Sequence, residues 1–260
     1  MAKGLLKKIR QSEESPKEAD EFINSDEIID SIKKGYEAQR SDQFKKRDSF
    51  TPSGLVYGPG LCPRYWYLYF EGNQANNNTD WYGVANMDSG SDRHKRIQTA
   101  MKHGKILIDD EVVIKSEDPP LSGKSDALIV WNDKEIITEI KTVNENSFMY
   151  MKKPRNYHIE QLLIYMKILN HSFGYLIYEN KNSHELRFFP IRVNQKYKDF
   201  MKYFFDWMQR VRKSFVDKQL PENPYRNKYD NKTCKSCEFL KACEQKPVGD
   251  IKIESRKELE

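Results

Sequence analysis

Apolar residues recur along this chain with two different periods, and the changes of period predict its helices and strands. Helical spacing, with apolar positions every three to four residues, covers four segments, which are 19–38, 86–103, 157–170 and 195–218. In the first segment the apolar positions are Phe22, Ile23, Ile28, Ile29 and Ile32. Asp88 and Ser89 are candidate N-caps of the second, because their side chains can accept hydrogen bonds from the first free N–H groups.

Runs rich in β-branched and aromatic residues predict five strands, at 106–115, 125–131, 135–143, 173–180 and 186–193. The order helix, strands, helix, strands, helix is typical of a single mixed α/β domain. We place this domain at 51–245, between a charged and partly helical extension at 1–50 and a charged tail at 246–260.

Composition limits the classes of protein to which the chain can belong. Apolar residues make up 38% of its 260 residues and charged residues 32%, and no apolar run approaches the about 18 residues of a membrane span. The first residues lack the apolar core of a secretory signal, so we expect a soluble, cytoplasmic protein with no membrane partner. A net charge of +5 permits an anionic partner such as nucleic acid without requiring one.

The stretch "GKSDALIVWNDKEIITEIKT" places charged residues among the aliphatic residues of two predicted strands. If the strands form a hairpin with Asp133-Lys134 as its turn, Asp126 lies opposite Lys141. Glu139 is two positions from Lys141 and shares its face of the sheet, because side chains alternate along a strand. Two carboxylates and one ammonium then lie together, unless a turn with an odd number of residues moves one strand to the other face.

The hairpin alone leaves two interpretations open. Asp126 and Lys141 can form a cross-strand ion pair on a solvent-exposed face. Alternatively, Asp126 and Glu139 supply the oxygen ligands that suit Mg²⁺ or Mn²⁺. Lys141 would then position or help to deprotonate an attacking water, while the metal stabilises charge on a phosphoryl oxygen.

Two further segments carry polar residues at positions suited to an active site. His94 ends the stretch "GSDRH" at a predicted helix start. In "HIEQLLIY", helical spacing places three polar residues on one face, and these are His158, Gln161 and Tyr165. Taken singly, His94 can be a structural or surface residue, and the three others can form the polar edge of a packed helix.

Four short motifs occur in a characteristic order, with "GSDRH" followed by "GKSDAL", "EIKT" and "QLLIY". Together they resemble the RecB-like branch of the PD-(D/E)xK nuclease superfamily over about 90–165. Ser125 stands where the superfamily name has Pro, at a position that shapes only the turn before the aspartate. The resemblance implies an α/β, restriction-endonuclease-like fold, in which helices flank a central mixed β-sheet.

The resemblance also implies a role for each matched residue. The metal ligands for Mg²⁺ or Mn²⁺ would be His94, Asp126, Glu139 and the carbonyl group of Ile140. Lys141 would be the catalytic lysine, acting beside the two carboxylates. Gln161 and Tyr165 match the helical motif that helps to align the lysine and the DNA backbone.

The spacing of the cysteines predicts a second site. Cys234, Cys237 and Cys243 lie within ten residues, and Cys62 is isolated far upstream. Three thiolates would leave a metal site incomplete, so Cys62 is the natural fourth ligand. Zinc and an iron–sulfur cluster both accept four cysteines, and unrelated buried cysteines are the third interpretation.

The sequence around these cysteines resembles that of RecB-like nucleases with an iron–sulfur cluster, which include AddB-type, CRISPR-associated adaptation and exonuclease V-type nucleases. In that layout one cysteine precedes the nuclease core, as in "CPRYWYLY" from Cys62, and three follow it, as in "CKSCEFLKAC" from Cys234. The resemblance implies a structural [4Fe–4S] cluster that joins the N- and C-terminal segments of the nuclease domain.

We also predict three DNA contacts, at Arg64, Trp66 and His158. Arginine and aromatic side chains in one run can stack on unpaired bases and contact phosphate, although such a run is often core packing instead.

The expected function is therefore metal-dependent exonucleolytic hydrolysis of DNA, at single-stranded or frayed ends, in recombination, repair or DNA processing. Three alternatives remain: a non-catalytic DNA-binding or scaffold subunit of the same fold, an endonuclease on the same core, and a zinc protein with an unrelated enzyme core. The chain has no G-x-x-x-x-G-K-[ST] motif, so a helicase or recombination protein would be a partner.

Overall fold

The computed structural model describes residues 25–39, 48–76, 79–226 and 232–260, which fall into two units. The smaller unit comprises 1–42 and 79–85, and its described part contains helix α1, Ser25–Ala38. The beginning of the predicted helix 19–38, up to residue 24, lies outside the described residues. Within this unit the Glu37 carboxylate accepts a hydrogen bond from the backbone N–H of Trp81.

The larger unit, 43–78 and 86–260, is built on a five-stranded sheet with the order β1-β2-β3-β4-β5. The strands are β1 Leu107–Glu117, β2 Pro120–Trp131, β3 Lys134–Val143, β4 Phe173–Asn180 and β5 Leu186–Arg192. Neighbouring strands are antiparallel except β3 and β4, which are parallel. All five predicted strands are thus present in a mixed α/β architecture, as the sequence predicts.

Helices flank this sheet. They are α2 Pro52–Leu55, α3 Pro63–Glu71, α4 Trp81–His103, α5 Glu145–Tyr150, α6 Asn156–Ile168, α7 Gln195–Val216, α8 Lys232–Lys235 and α9 Leu240–Gln245, with a 3-10 turn at Gly58–Leu61. In the described part of the chain, none of the helices is long and apolar enough to cross a lipid bilayer.

The start of α4 differs from the sequence prediction. The helix begins at Trp81, so Asp88 and Ser89 lie inside it and do not cap it. Asp80 provides the cap instead, because its carboxylate accepts a hydrogen bond from the N–H of Gly83 at 2.8 Å.

Side chains of β3 alternate between two apolar clusters, one on each face of the sheet. Ile136 and Ile140 pack with Ile97 and Met101 of α4. Ile137 and Val143 pack on the other face, in a larger core with α3, α6 and α7. Residues 139 and 141 have the same parity as 137 and 143, so their side chains lie on the α6 face. The charged residues Glu139 and Lys141 would suggest that this face of β3 is exposed to solvent. In the structure, α6 covers it.

The charged C-terminal segment 246–260 packs against the back of α6. The Arg256 guanidinium lies 2.7 Å from the Glu160 carboxylate, and both side chains are fully buried. The same carboxylate accepts a hydrogen bond from the N–H of Leu259 at 2.6 Å. A buried ion pair of this kind is strongly destabilising when one partner is lost, because the other charge remains in the core. The segment thus holds the helix that borders the functional site.

Candidate active site

The turn between β2 and β3 differs by one residue from the predicted turn. Trp131 pairs with Lys134, so the turn consists of Asn132 and Asp133, and the prediction of an Asp133-Lys134 turn was wrong. Both turn residues adopt left-handed conformations, with φ of 49° and 58°. Asn and Asp tolerate this conformation better than Lys, and two-residue hairpin turns of the common type require it at both positions.

This shift moves the predicted cross-strand register by two positions. Continued beyond the last pair, Ala127 with Thr138, the register puts Asp126 opposite Glu139, where the sequence prediction put Lys141. A shift of two preserves the face on which each side chain lies. Asp126, Glu139 and Lys141 therefore share one face for the reason that the sequence indicates, but with a different pairing.

The two strands separate at the position of Asp126. Beyond Ala127, β2 continues to pair with β1, and β3 continues to pair with β4. The Asp126 carboxylate accepts a hydrogen bond from the backbone N–H of Ile140 at 2.6 Å, and the Ser125 hydroxyl donates to the carbonyl oxygen of Thr138 at 3.2 Å. Side chains thus satisfy backbone groups at the point where the ladder ends, and the resulting gap admits the polar groups of the site.

Helix α4 supplies a histidine to this gap. His94 Nδ1 lies 3.2 Å from Asp126 Oδ1, and the Gln98 amide donates to the Asp126 backbone carbonyl at 2.7 Å. Burial lowers the pKa of His94, but the hydrogen bond to Asp126 and its charge raise it by more, so that the net shift is upward. The structure therefore brings His94 to the carboxylate with which the sequence motifs associate it.

Glu139 and Lys141 form a close ion pair beneath the surface. Lys141 Nζ lies 2.6 Å from Glu139 Oε1, and Glu139 is only 2% exposed. Burial and the charge of Asp126 raise the pKa of Glu139 to about 7, against the opposing effect of Lys141. Burial lowers the pKa of Lys141, but Glu139 and Asp126 raise it by more. Lys141 is therefore held as an ammonium ion.

Two residues of α6 extend this pair into a hydrogen-bonded chain. Lys141 donates to Gln161 Oε1 at 3.1 Å, and Gln161 Nε2 donates to the Tyr165 hydroxyl at 2.7 Å. The amide is thereby oriented with its oxygen toward the lysine. His158 lies outside this chain, since its Nδ1 is 2.6 Å from the Tyr178 hydroxyl. Burial, together with the charge of Lys141, lowers the pKa of His158 to about 2, which keeps its ring neutral.

Six of the predicted site residues line one cleft of about 740 Å³, and these are His94, Asp126, Glu139, Lys141, Gln161 and Tyr165; His158 and the side chain of Ile140 do not line it. The segment 48–53 forms another wall, which the sequence patterns did not predict. Phe50 pairs with Leu121 through backbone hydrogen bonds, and Ser49 Oγ lies 2.7 Å from Ser122 Oγ. A pairing of this kind joins distant positions and has no periodic signal in the sequence.

The donor chemistry of the cleft fits a hard divalent cation. Carboxylate oxygens are the ligands that suit Mg²⁺ or Mn²⁺, and Glu139 Oε2 is buried with no hydrogen-bond partner among the described residues. In the side-chain positions of the structure, Asp126 contacts His94 and Ile140, while Glu139 Oε1 contacts Lys141. Accordingly, within 25–39, 48–76, 79–226 and 232–260, no three His, Cys, Asp or Glu side chains are arranged to hold a metal ion.

The predicted DNA contacts Arg64 and Trp66 are wrong, because both side chains are 1% exposed. The Trp66 indole donates to the carbonyl oxygen of Gly60 at 2.9 Å. The Arg64 guanidinium donates to backbone carbonyl oxygens at 2.7–3.3 Å, and these belong to Pro221, Cys243, Pro247 and Val248. Arg64 therefore holds the C-terminal segments to α3 and is not available to a ligand.

The four cysteines line one small cavity beside Arg64 and Tyr65, and all four are free thiols. Burial raises the pKa of Cys62 and of Cys237 to about 12 each. The Asn223 amide nitrogen lies 3.8 Å from Cys234 Sγ and 3.7 Å from Cys243 Sγ. The structure thus brings the four cysteines to one cavity, with a polar group directed at two of them. In the side-chain positions of the described residues, no three of these cysteines are arranged to hold a metal ion.

No family model and no curated protein sequence matches this chain. Among solved structures, "Crystal structure of SSO0001" is similar with 19% identity, a TM-score of 0.48, and coverage of 86% of this chain and 98% of the other. The alkaline exonuclease LHK-Exo from Laribacter hongkongensis is similar with 11% identity, a TM-score of 0.49 and coverage of 71% and 95%. The complex of LHK-Exo with dAMP is similar with 14% identity, a TM-score of 0.46, and coverage of 66% of this chain and 91% of the other. At these values the assignment of function depends on the geometry of the site itself.

Proposed function

We propose that this protein is a metal-dependent deoxyribonuclease of the RecB-like branch of the PD-(D/E)xK superfamily, acting as an exonuclease on single-stranded or frayed DNA ends. The observation that carries the proposal is the opening of the β2–β3 ladder, where Asp126, Glu139 and Lys141 share one cleft. The motif order in the sequence and the positions of His94 and Gln161 in that cleft support the same assignment.

The metal would be Mg²⁺ or Mn²⁺, and its ligands would be His94, Asp126, Glu139 and the carbonyl group of Ile140. When bound, such an ion activates a water molecule and neutralises charge on a phosphoryl oxygen. Two observations support this ligand set: the unpartnered, buried Oε2 of Glu139, and the contact of His94 with Asp126. Because the pKa of Glu139 is about 7, a bound cation can displace the proton of this carboxyl group at neutral pH.

Lys141 would position the attacking water and stabilise negative charge on the phosphate group. Its upward pKa shift, against the opposing effect of burial, favours the ammonium form. Glu139 and Gln161 fix the ammonium group from two directions, and Tyr165 fixes Gln161 in turn. The lysine is therefore oriented before a substrate arrives, which reduces the cost of reorganisation during the reaction.

The walls of the cleft suit an anionic substrate. Lys115 and Lys124 line it in addition to Lys141. Both side chains are exposed, and their ion pairs, with Glu117 at 4.0 Å and Glu111 at 2.7 Å, are exposed too, so that these pairs are weak and can exchange for phosphate. Lysines in such positions supply the sequence-independent attraction to phosphates that dominates the affinity for nucleic acids.

For the second site, we propose a structural [4Fe–4S] cluster held by Cys62, Cys234, Cys237 and Cys243. The enclosure of all four thiols in one cavity supports a common ligand. Because Cys62 precedes the sheet and the other three follow it, such a group would cross-link distant parts of the chain, which constrains the unfolded state most for long loops. Zinc is the alternative: stoichiometric iron with a broad visible absorbance supports the cluster, and bound zinc without iron contradicts it.

The test of the enzymatic proposal is degradation of end-labelled DNA by anaerobically purified protein with Mn²⁺ or Mg²⁺. We expect nucleotides to be released from single-stranded ends by the native protein and not by the Asp126→Ala variant. Closed circular DNA should remain intact, because an exonuclease needs an end. Absence of hydrolysis on every substrate with every divalent metal would contradict the proposal, and cleavage of the circles would assign an endonuclease instead.

A further inference from the structure

A pair of aromatic rings, one exposed and one half-buried, lies one turn of α6 beyond the cleft residue Gln161. The ring of Tyr57, which is 68% exposed, lies 5.6 Å from the ring of Tyr157, with 48° between their planes. The Arg155 guanidinium is 5.9 Å from the Tyr157 ring and donates to its hydroxyl at 2.6 Å. We call these three residues the aromatic platform.

The platform residues adjoin two segments that line the cleft, helix α6 and the segment 48–53. Tyr157 precedes Gln161 on α6 by one helical turn, and Gln161 precedes Tyr165 by one turn, so all three lie along one side of the helix. Tyr57 follows the segment 48–53, which also lines the cleft, and its ring contacts Tyr157. A DNA strand that follows α6 from Gln161 toward the start of the helix therefore reaches the platform.

The surrounding structure fixes two members of the platform, Tyr157 and Arg155. The Tyr157 ring meets the His158 ring edge to face at 4.4 Å, and His158 is held in turn by the hydroxyl of Tyr178. The same hydroxyl accepts the backbone N–H of Arg155 at 3.2 Å. This arrangement gives the half-buried His158 a structural role, because its ring packs against the ring of Tyr157. A fixed ring loses little conformational freedom when a ligand stacks on it.

We propose that the aromatic platform binds unpaired bases of a single DNA strand and thereby selects single-stranded ends for the cleft. This inference rests on the proposed nuclease function and adds the residues that would bind the single strand outside the catalytic groups. Exposed rings stack on unpaired bases whatever their sequence, and Arg155 adds a cation beside the ring that can contact base or phosphate. Bases inside a duplex are already stacked on their neighbours, so a duplex offers the platform no free face until its end frays.

The sequence contains a second aromatic run, near Cys62, and its difference from the platform supports this assignment. The run at Tyr65, Trp66 and Tyr69 packs with Phe239 and the core, so its rings are used within the protein. Tyr57 instead presents most of its ring to solvent beside a cleft that carries three lysines. Surface aromatic residues next to positive charge match the chemistry of single-strand binding sites.

The direct test is equilibrium binding of a fluorescein-labelled single-stranded oligonucleotide without divalent metal, so that hydrolysis does not interfere. We expect Tyr57→Ala and Tyr157→Ala each to raise the Kd about tenfold, which is within the range for loss of one base–aromatic stack. Tyr57→Phe and Tyr157→Phe should bind like the native protein, because they keep the ring. Trp131→Ala removes an aromatic residue of similar exposure, 60%, at the turn end of the hairpin, and should have no effect.

An oligonucleotide with abasic positions separates stacking from attraction to phosphate. For the native protein we expect the abasic strand to bind about tenfold more weakly, and for Tyr57→Ala we expect no further loss. Equal binding of the two strands by the native protein would overturn the inference, and so would native affinity in both alanine variants. Thermal melting of each variant shows whether the fold is retained, and Tyr57→Ala decides if Tyr157→Ala unfolds, because the Tyr57 ring is mostly exposed.

The outcome for the platform is distinguishable from the outcome for the nuclease proposal. If the native protein hydrolyses DNA and the alanine variants match it in both Kd and KM for single strands, the platform inference fails alone. If the native protein binds single strands in a base-dependent way through Tyr57 but hydrolyses no DNA, the catalytic proposal fails and the platform stands. If hydrolysis occurs, KM should rise about tenfold in the variants while kcat stays within about twofold, because stacking lies outside the reacting groups.

Discussion

The two ends of the β2–β3 hairpin are built from the same strands but differ in what they do. At the turn end, the backbones pair without interruption from Ala127 and Thr138 to Trp131 and Lys134, and alternate side chains fill an apolar cluster. At the other end the strands separate, and the Asp126 carboxylate, instead of a backbone carbonyl group of β2, accepts the N–H of Ile140.

This difference shows how a sheet can hold buried charge. A continuous ladder leaves no space between strands, whereas a parted one admits side chains from both flanking helices. His94 of α4 and Gln161 of α6 meet the strands at this open end. Among the described residues, the charges of Asp126, Glu139 and Lys141 are each partnered, as buried charges must be, apart from Glu139 Oε2. An unpartnered buried carboxylate oxygen is a position where a cation would be stabilising.

The comparison is tested most strongly by removing the same residue type from each end of β3. We expect Lys141→Ala to lower kcat by about 10²- to 10⁴-fold, the usual effect of losing a positioned group in proton transfer or charge stabilisation. Lys134→Ala, at the turn end of the same strand, should leave kcat unchanged. Single-turnover hydrolysis of a labelled strand measures both. Equal activity of the two variants would remove Lys141 from the mechanism.

The hydrogen-bonded chain from α6 gives a smaller effect. We expect Gln161→Ala to lower kcat roughly 10- to 100-fold, as is usual for a group that orients a reacting one. Gln161→Glu should retain more activity than the alanine variant, because its side chain can still accept from Lys141. Steady-state kinetics at saturating DNA separates this effect on kcat from binding. A change in KM alone would show that Gln161 contacts substrate instead of orienting the lysine.

The open end should also respond to pH through Glu139. The pKa of this carboxyl group is raised to about 7 by burial and by Asp126, so it holds its proton from its usual range up to neutral pH and competes with a metal ion. We expect the affinity for Mn²⁺ to rise with pH through about 7 as Glu139 loses its proton, and His94, whose pKa is also raised, to add to this dependence. Calorimetric titration between about pH 6 and pH 8 in two buffers measures both affinity and proton release. A smaller slope and a smaller proton release in Glu139→Gln than in the native protein would assign part of the effect to Glu139, and a flat native profile would contradict it.

The smallest effect is expected at the turn. Asp133 has a φ of 58°, a conformation that glycine adopts without steric cost. We expect Asp133→Gly to change the free energy of unfolding by less than about 1 kcal/mol, with stabilisation favoured, because Asn-Gly is a preferred hairpin turn. Activity should be unchanged. Chemical denaturation provides the measurement, and a loss of activity in this variant would show that the two ends are coupled.

The sequence predicts the open end better than it predicts what surrounds it. The shared face of Asp126, Glu139 and Lys141 follows from the alternation of side chains, which survives the error in the turn because the register moved by two positions. The approach of Gln161 and Tyr165 follows from helical spacing in the same way. These are local regularities, and local regularities can be read from one strand or one helix at a time.

The remaining features depend on contacts between distant parts of the chain. Arg64 lies in a run that resembles a nucleic-acid-binding surface, but carbonyl groups from residues 221–248 enclose its guanidinium. Tyr57 and Tyr157 come together across a hundred positions, and neither shows a periodic signal that includes the other. The segment 48–53 joins the cleft through a backbone pairing with β2. Only the folded arrangement separates the aromatic residues that fill the core from those that border the site.

The central claim, that the open end of the hairpin is a metal-dependent nuclease centre, is tested most directly with Asp126→Asn. This variant keeps the shape of the side chain and an oxygen that can accept the N–H of Ile140, so the fold should be retained, while the charge that would bind the metal is lost. Release of nucleotides from an end-labelled single strand with Mn²⁺ is the measurement. We expect rapid release by the native protein and a loss of at least about 10²-fold in the variant. Equal rates for the two proteins would contradict the claim.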